Sequence, residues 1–339
     1  VTNVAKTGHT RREVLKQAGL FALSFPSLKG GWPLITNKPQ KSLLYIGTYT
    51  GGQSEGIYTC LFDHDTAELK ISHATSGIEN PSYLALDSLK RHLYAVSEIN
   101  SYSGQDSGAV FAYSIAPRSG KLEVINKQPS KGAHPCFISM DRSDTNVLVA
   151  NYTGGNVSVL PIRPGDQGVE EASYTHQHEG SGPNKDRQNA PHAHSIKLAP
   201  DAKHALSADL GADKLMFYRF DPIKGELSPA GQPYVEMEPG AGPRHFDFHP
   251  NGSWLYVINE LNASITLLHY DGANEQIKKV QTVPTLPPGF TGSNKCADIH
   301  VHPPGNYLYG SNRGHDSIAA YKINRKDGTL ELIQHQSTK

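Results

Sequence analysis

The chain has 339 residues, 37% of them hydrophobic, 8% aromatic and 19% charged, with 32 glycines and 23 prolines. That balance is globular and excludes disordered, collagen-like and disulfide-scaffold classes. Lysine plus arginine equals aspartate plus glutamate at 32 each, and no basic block interrupts the chain, so no nucleic-acid partner is expected.

The first feature in chain order is the pair Arg11-Arg12, followed by an apolar stretch that ends at Phe25-Pro26. Paired arginines ahead of about eleven apolar residues read as a twin-arginine export signal. The stretch is too short to cross a bilayer, which takes roughly twenty helical residues, so no stable membrane anchor is expected. Residues 1–40 are therefore set apart as export signal and linker, with the twin-arginine machinery as a partner and a periplasmic or secreted destination. The alternative is an amphipathic surface helix with both arginines solvated, which would leave the protein in the cytoplasm. Residues 41–339 form the remaining domain. Cys60, Cys136 and Cys296 lie far apart without zinc-type spacing, so buried structural thiols are expected.

From Leu43 onward, short alternating segments bounded by Gly, Pro, Asn and Asp predict strands throughout. The segment Gly242-Pro-Arg-His-Phe-Asp-Phe-His-Pro-Asn-Gly recurs in altered form at Asn80, Ala133, Pro191 and Lys295. The period is roughly fifty to sixty residues with four strands in each unit, the signature of propeller blades. In the unit around Arg244 the predicted strands are Arg244–His249, Trp254–Asn259, Ser264–Tyr270 and a weaker one at Gln276–Thr282, called a to d from the channel outward. The d-to-a connectors and b-to-c turns of all blades then share one face of the ring.

Comparing the repeats with one another separates positions that serve every blade from those that do not. Strand b ends in Ser97, Asn151, Asp209, Asn259 and Asn312 in turn, small polar groups that suit a tight turn. The next column reads Glu98, Tyr152, Leu210, Glu260 and Arg313 and follows no packing rule. At the start of strand a, Pro81 and Pro135 stand against His194, Arg244 and Ala297, and one step on Ser82, Cys136 and Ser195 stand against His245 and Asp298. His194, Arg244, Glu260 and Arg313, with His245 and Asp298 nearby, are thus expected around one channel mouth. His134 and Asn151 join His245 and Asp298 as candidate substrate-binding residues. The pairs His192/His194 and His300/His302 have the spacing of strand neighbours on one side, but no acidic cluster accompanies them and no metal is expected. The stretch Pro164–Ala190 reads as a long connector leading into His194, either a cover for the mouth or a surface insertion.

Several stretches together resemble the bacterial lactonase family of seven-bladed propellers, which includes propeller-type 6-phosphogluconolactonases and carboxy-muconate cyclases. They are Tyr45-Ile-Gly-Thr-Tyr-Thr, Asn151-Tyr-Thr-Gly-Gly-Asn-Val-Ser-Val, Pro191-His-Ala-His-Ser, Gly240–Gly252, Asn259-Glu-Leu-Asn and Ala297-Asp-Ile-His-Val. The resemblance implies an all-β propeller of that type, no obligate metal or other cofactor, and a histidine, two arginines and a glutamate as active-site residues. These fall on His194, Arg244, Arg313 and Glu260. By unit counting, about six blades are present and the first, Leu43–Thr75, lacks strand a. A missing last blade is therefore expected, leaving a gapped seven-blade ring or a closed six-blade one.

The implied chemistry is the opening of a lactone, a small-molecule substrate, by water. His194 is the expected base, and the two arginines would stabilise the oxyanion or grip a substrate anion. A lactonising isomerase working on a muconate and a non-catalytic binding propeller are the rival readings. If the protein is exported, unphosphorylated sugar lactones are the expected substrates.

Overall fold

The computed structural model describes residues 40–339, and the export signal read at Arg11-Arg12 lies outside them. The described residues contain no helix and form six antiparallel sheets in sequence order. The first has three strands, β1 (Lys41–Ile46), β2 (Ile57–Asp63) and β3 (Leu69–Thr75). The second holds β4 (Leu84–Leu86), β5 (His92–Ser97), β6 (Ala109–Ile115) and β7 (Leu122–Pro129), and the third β8 (Pro135–Met140), β9 (Asn146–Asn151), β10 (Asn156–Pro161) and β11 (Tyr174–Gln177). The fourth holds β12 (Ala193–Leu198), β13 (His204–Asp209), β14 (Lys214–Asp221) and β15 (Glu226–Glu236). The fifth is β16 (Pro243–Phe248), β17 (Trp254–Asn259), β18 (Ser264–Asp271) and β19 (Gln276–Pro284). The sixth is β20 (Lys295–Val301), β21 (Tyr307–Arg313), β22 (Ser317–Ile323) and β23 (Leu330–Ser337). Each is an up-and-down blade, as the repeat pattern predicts.

The middle strands are apolar on both faces because each sheet is packed between neighbours; β9, Asn-Val-Leu-Val-Ala-Asn, is buried from end to end. Five hydrophobic clusters fill the seams between successive sheets. None of them joins the sixth sheet to the first. On the first sheet Leu43, Leu44, Ile46, Leu69 and Ile71 are exposed, and on the sixth Tyr307, Tyr309, Leu332 and Ile333.

The a-to-b turns are capped by their own acidic side chains. Asp87 Oδ1 accepts from the Arg91 and His92 amides, and Asp141 Oδ1 from those of Thr145 and Asn146. The residues ending strand b tie the opposite face. Ser97 donates to Glu79 O, Asn151 to Ser130 O and Asn312 to Thr285 O, so each blade is stitched to a connector at that end.

The inner strands carry a shared irregularity. Where Pro135 opposes Asn151, Ala193 opposes Asp209 and Pro243 opposes Asn259, the next residue of the inner strand has no partner and the register resumes one residue later. Cys136, His194 and Arg244 are therefore bulge residues in three consecutive blades. In β20 the interruption spans Ala297 and Asp298. A bulge frees one side chain from the alternation of the ladder and re-aims it.

Candidate active site

The a-to-b turns set the register of the repeats one residue away from the sequence comparison: the amides of Asp87, Asp141, Ala199, His249 and His302 make the equivalent turn bonds, to His92, Asn146, His204, Trp254 and Tyr307 O. His194 and Arg244 are therefore equivalent to Ser82 and Cys136, not to Pro81 and Pro135, since each lies two residues after a carbonyl (Asn80, His134, His192 and Gly242 O) that accepts the amide following strand b, and Pro135 and Pro243 both occupy the paired position just before a bulge. Ser82, Cys136, His194 and Arg244 all line one cavity of about 480 Å³ at the end where strands a begin and strands b finish. Glu98, Tyr152 and Glu260, each following the end of a strand b, and Arg313, the last residue of β21, complete its wall with Tyr49, Tyr83, Arg187, His245, Lys295 and Asp298. Of the eight residues expected at the mouth, the structure brings together His194, Arg244, Glu260, Arg313, His245 and Asp298. His134 and Asn151 are not in the lining. His134 bonds Thr153 Oγ1 at 2.9 Å, and Asn151 is buried among Ser130, Asn156 and Ser158.

Glu260 is the hub. Only 3% of its side chain is exposed, and three arginines converge on it: Arg187 Nη2 at 2.7 Å from Oε1, and Arg244 Nε at 3.0 Å and Arg313 Nη2 at 2.8 Å from Oε2. Burial alone would raise its pKa, but the Arg187 hydrogen bond and the charges of Arg244 and Arg313 outweigh burial and hold the carboxyl below its usual range. Arg244 Nη1 also donates to Ala297 O at 2.7 Å, and Arg313 Nη2 to Cys296 O at 3.1 Å. The planar guanidinium groups are thus fixed before any ligand arrives.

Two histidines flank Arg244. His194 is buried with Nδ1 3.5 Å from Cys136 Sγ, its ring edge-on to Tyr152 and His245. Burial, then the charge of Arg244, pushes its pKa well below the ordinary value. His245 places Nδ1 2.8 Å from Asp298 Oδ1 and Nε2 3.4 Å from Arg244 Nη1. Burial and Arg244 push it down to about 3 despite the aspartate. Both imidazoles are uncharged at neutral pH. Burial likewise pushes the Cys136 thiol up, so it stays protonated and is not an activated nucleophile.

The paired histidines noted in the sequence do different things. His192 stacks on Tyr152 with ring centroids 4.5 Å apart and bonds Tyr152 O, whereas His194 faces Cys136. His300 bonds Asp298 Oδ2 at 2.9 Å, and His302 packs edge-on to Tyr307. Among the described residues, no group of three or more His, Cys, Asp or Glu side chains is placed to hold a metal ion.

With this geometry in place, relatives can be compared. The profile of the family described as "Lactonase, 7-bladed beta-propeller" matches residues 43–339. The chain belongs to this lactonase family. It is 36% identical over 298 residues to a 6-phosphogluconolactonase of Bacillus subtilis, covering 88% of this chain and 82% of that protein. A 6-phosphogluconolactonase of Formosa agariphila is 30% identical, with coverage of 87% and 83%. Among solved structures, a periplasmic gluconolactonase of Pseudomonas aeruginosa superposes with a TM-score of 0.81 at 31% identity, over 88% of this chain and 84% of that one.

Arg187 is the site residue that the repeat comparison missed. The stretch read as one connector, Pro164–Ala190, contains β11, a four-residue strand too short and too polar to announce itself. The loop after it is pinned by Gln188, which has no solvent exposure. Its Nε2 donates to Leu210 O at 2.9 Å and Asp213 Oδ1 at 2.7 Å, and its Oε1 accepts from the Asn184 amide. Gly182 packs against that side chain, where a Cβ would come within 2.5 Å of it. Arg187, the preceding residue, is thereby held over the cavity, with Nη2 bonded to both Tyr152 Oη and Glu260. Nothing periodic marks it, since it lies outside the repeat.

Proposed function

We propose that the protein hydrolyses a lactone, with a sugar lactone as substrate. The observation that carries this reading is the cluster of three arginines fixed on one buried carboxylate beside two uncharged histidines. Ester hydrolysis needs positive charge where the carbonyl oxygen becomes an oxyanion, and an uncharged base to take a proton from water. Arg244 and Arg313 supply the charge; Glu260 holds them in place and compensates part of their charge when the cavity is empty. His194, at the position marked by the family's motif, lies against Arg244 and is in the uncharged form that can bond the attacking water or the substrate. The cavity lining holds four cationic residues, Arg187, Arg244, Lys295 and Arg313, against three acidic ones, Glu98, Glu260 and Asp298, which favours a substrate that carries or develops negative charge.

The test gives purified protein glucono-lactone, its 6-phosphate and a carboxy-muconate in turn. Accelerated opening of either sugar lactone, with kcat lower by about a hundred- to a thousandfold in Arg244→Met, is the expected result. Cyclisation of the muconate with no lactone opening would replace this reading with that of a lactonising isomerase. No turnover of any of the three would leave a binding propeller.

Export is part of the same proposal. It is supported by Arg11-Arg12 with the apolar run behind it and by the periplasmic gluconolactonase among the structural neighbours. An exported enzyme meets unphosphorylated sugar lactones, so kcat/KM for glucono-lactone is expected to exceed that for its phosphate. Fractionating cells that express the full chain and its Arg11→Lys, Arg12→Lys variant checks the route: periplasmic protein only with the paired arginines is expected, and equal cytoplasmic retention of both would overturn it.

A further inference from the structure

Five groups in the cavity could take a proton from water, Glu98, Glu260, Asp298, His194 and His245, and their surroundings are unlike. Glu260 is bound by three arginines, and Glu98 accepts the Tyr49 hydroxyl at 2.8 Å. His194 has no carboxylate at either nitrogen; its Nδ1 meets the Cys136 thiol, and the charged neighbours that act on it are the cations Arg244 and Arg313. An imidazolium there would form beside two cations that Glu260 offsets only in part, with no carboxylate bonded to the ring itself.

His245 is different. Its Nδ1 lies 2.8 Å from an oxygen of Asp298, a carboxylate held in its ionised form by bonds from both His245 and His300. A carboxylate only accepts, so Nδ1 must carry the hydrogen and Nε2 must carry the lone pair. Nε2 stands beside Arg244 Nη1 at 3.4 Å, a long contact compared with the 2.7 Å bond that the same nitrogen gives Ala297 O. The ring is locked by edge contacts with Phe137 and Tyr83, at centroid distances of 5.1 and 5.8 Å. Tautomer, orientation and counter-charge are all set for one task.

We propose that His245 is the general base of the lactone-opening reaction, and that Asp298, reaching across from the next blade, is its positioning residue. The proposal rests on the lactonase reading above. Water adds its oxygen to the lactone carbonyl carbon while His245 Nε2 takes one of its protons; the carbonyl π pair becomes an oxyanion beside Arg244. As the tetrahedral intermediate collapses, the ring C–O bond breaks and the proton on Nε2 passes to the departing ring oxygen. The products are a free hydroxyl and a carboxylic acid that ionises in water, and His245 is left unprotonated.

Arg244 links the two halves of this chemistry. The groups facing His245 are Arg244 on its own strand, His194 and Lys197 from β12, Tyr83 from the second blade and Asp298 from β20. In the empty site, the Arg244 charge weakens His245 as a base. An oxyanion formed against Arg244 offsets that charge, so the base strengthens as the transition state is approached, and the stabilisation is felt there rather than in the bound ground state.

The experiment compares wild type, His245→Ala, Asp298→Asn and His194→Gln on the lactone that the wild type opens best, with thermal unfolding to confirm that each variant is folded. His245→Ala is expected to lose about a thousandfold or more in kcat with KM changed by less than about threefold, and to regain activity in proportion to added imidazole. Asp298→Asn, which leaves the tautomer unset, should lose about a hundred- to ten-thousandfold in kcat, again with little change in KM. His194→Gln, which removes the imidazole but keeps a hydrogen-bonding side chain, should lose less kcat than His245→Ala and should not respond to imidazole. A folded His245→Ala that keeps its kcat, or a His194→Gln that loses more than His245→Ala and alone responds to imidazole, overturns the proposal while the lactonase reading stands. A wild type that opens no lactone overturns both.

Discussion

Glu260 shows how much a single side chain can hold in place. With three guanidinium groups on one buried carboxylate, removing it leaves three positive charges crowded around a cavity wall. Glu260→Ala is expected to cost about 3 to 5 kcal/mol, the range for breaking a buried pair from one side, and urea titration measures it. The linkage sign follows from the depressed folded-state pKa: the stabilisation is present above the unfolded value of about 4.3 and is lost as pH falls through the lower folded value. The wild type should therefore lose stability below about pH 4 more steeply than Glu260→Ala. His245 has the opposite charge type. With its pKa pushed down to about 3, it stays unprotonated through mildly acidic solution, so kcat/KM should show no acid limb near about 6.5, the ordinary histidine value. A limb centred there would point to a different titrating base. At this scale the sequence was informative where chemistry broke a column: His194, Arg244, Glu260 and Arg313 stand out against Pro, Leu and Ala, and all four share the cavity. That His245 and Asp298 bond one another was not legible, because the contact crosses 53 residues and a seam between blades.

The strands were readable from alternation and turn residues, yet the elements that aim the side chains were not. The turn prolines Pro200, Pro250 and Pro303 sit one residue past the positions equivalent to Asp87 and Asp141, so the columns aligned on them are out by one at Pro81 and Pro135, while the fold itself is unaffected. β11 was lost inside a polar stretch: Tyr-Thr-His-Gln has no apolar alternation to betray it. The loop that follows β11 depends on Gln188 in the way a helix depends on its cap. Gln188→Ala strands Leu210 O without a donor, leaves Asp213 Oδ1 with the Gly242 amide alone, and should cost about 1 to 3 kcal/mol. Its more specific effect is to release Arg187. KM for an anionic lactone is expected to rise about tenfold with kcat changed less, and limited proteolysis should cut first between residues 180 and 190.

At the largest scale, the six sheets among the described residues match the number of repeats counted in the sequence. Apolar side chains exposed on the first and sixth sheets, together with the inner edge of β1, which has no partner strand among the described residues, form surfaces open to pairing with another strand. The protein at micromolar concentration is expected to self-associate and to bind an apolar dye, and light scattering across a dilution series checks this; a monodisperse monomer at all concentrations would show those faces to be covered. The zero net charge removes the long-range repulsion that would otherwise oppose association.

The bulge column has a broader consequence. Ser82, Cys136, His194 and Arg244 each occupy a socket that the ladder does not use, so their identity costs the blade little hydrogen bonding. The cavity is therefore ringed by equivalent positions, with ionisable side chains at His194 and Arg244 and uncharged ones at Ser82 and Cys136. Chemistry can be rewritten one blade at a time, by changing the occupant of Ser82 or Cys136, while the scaffold that presents it stays as it is.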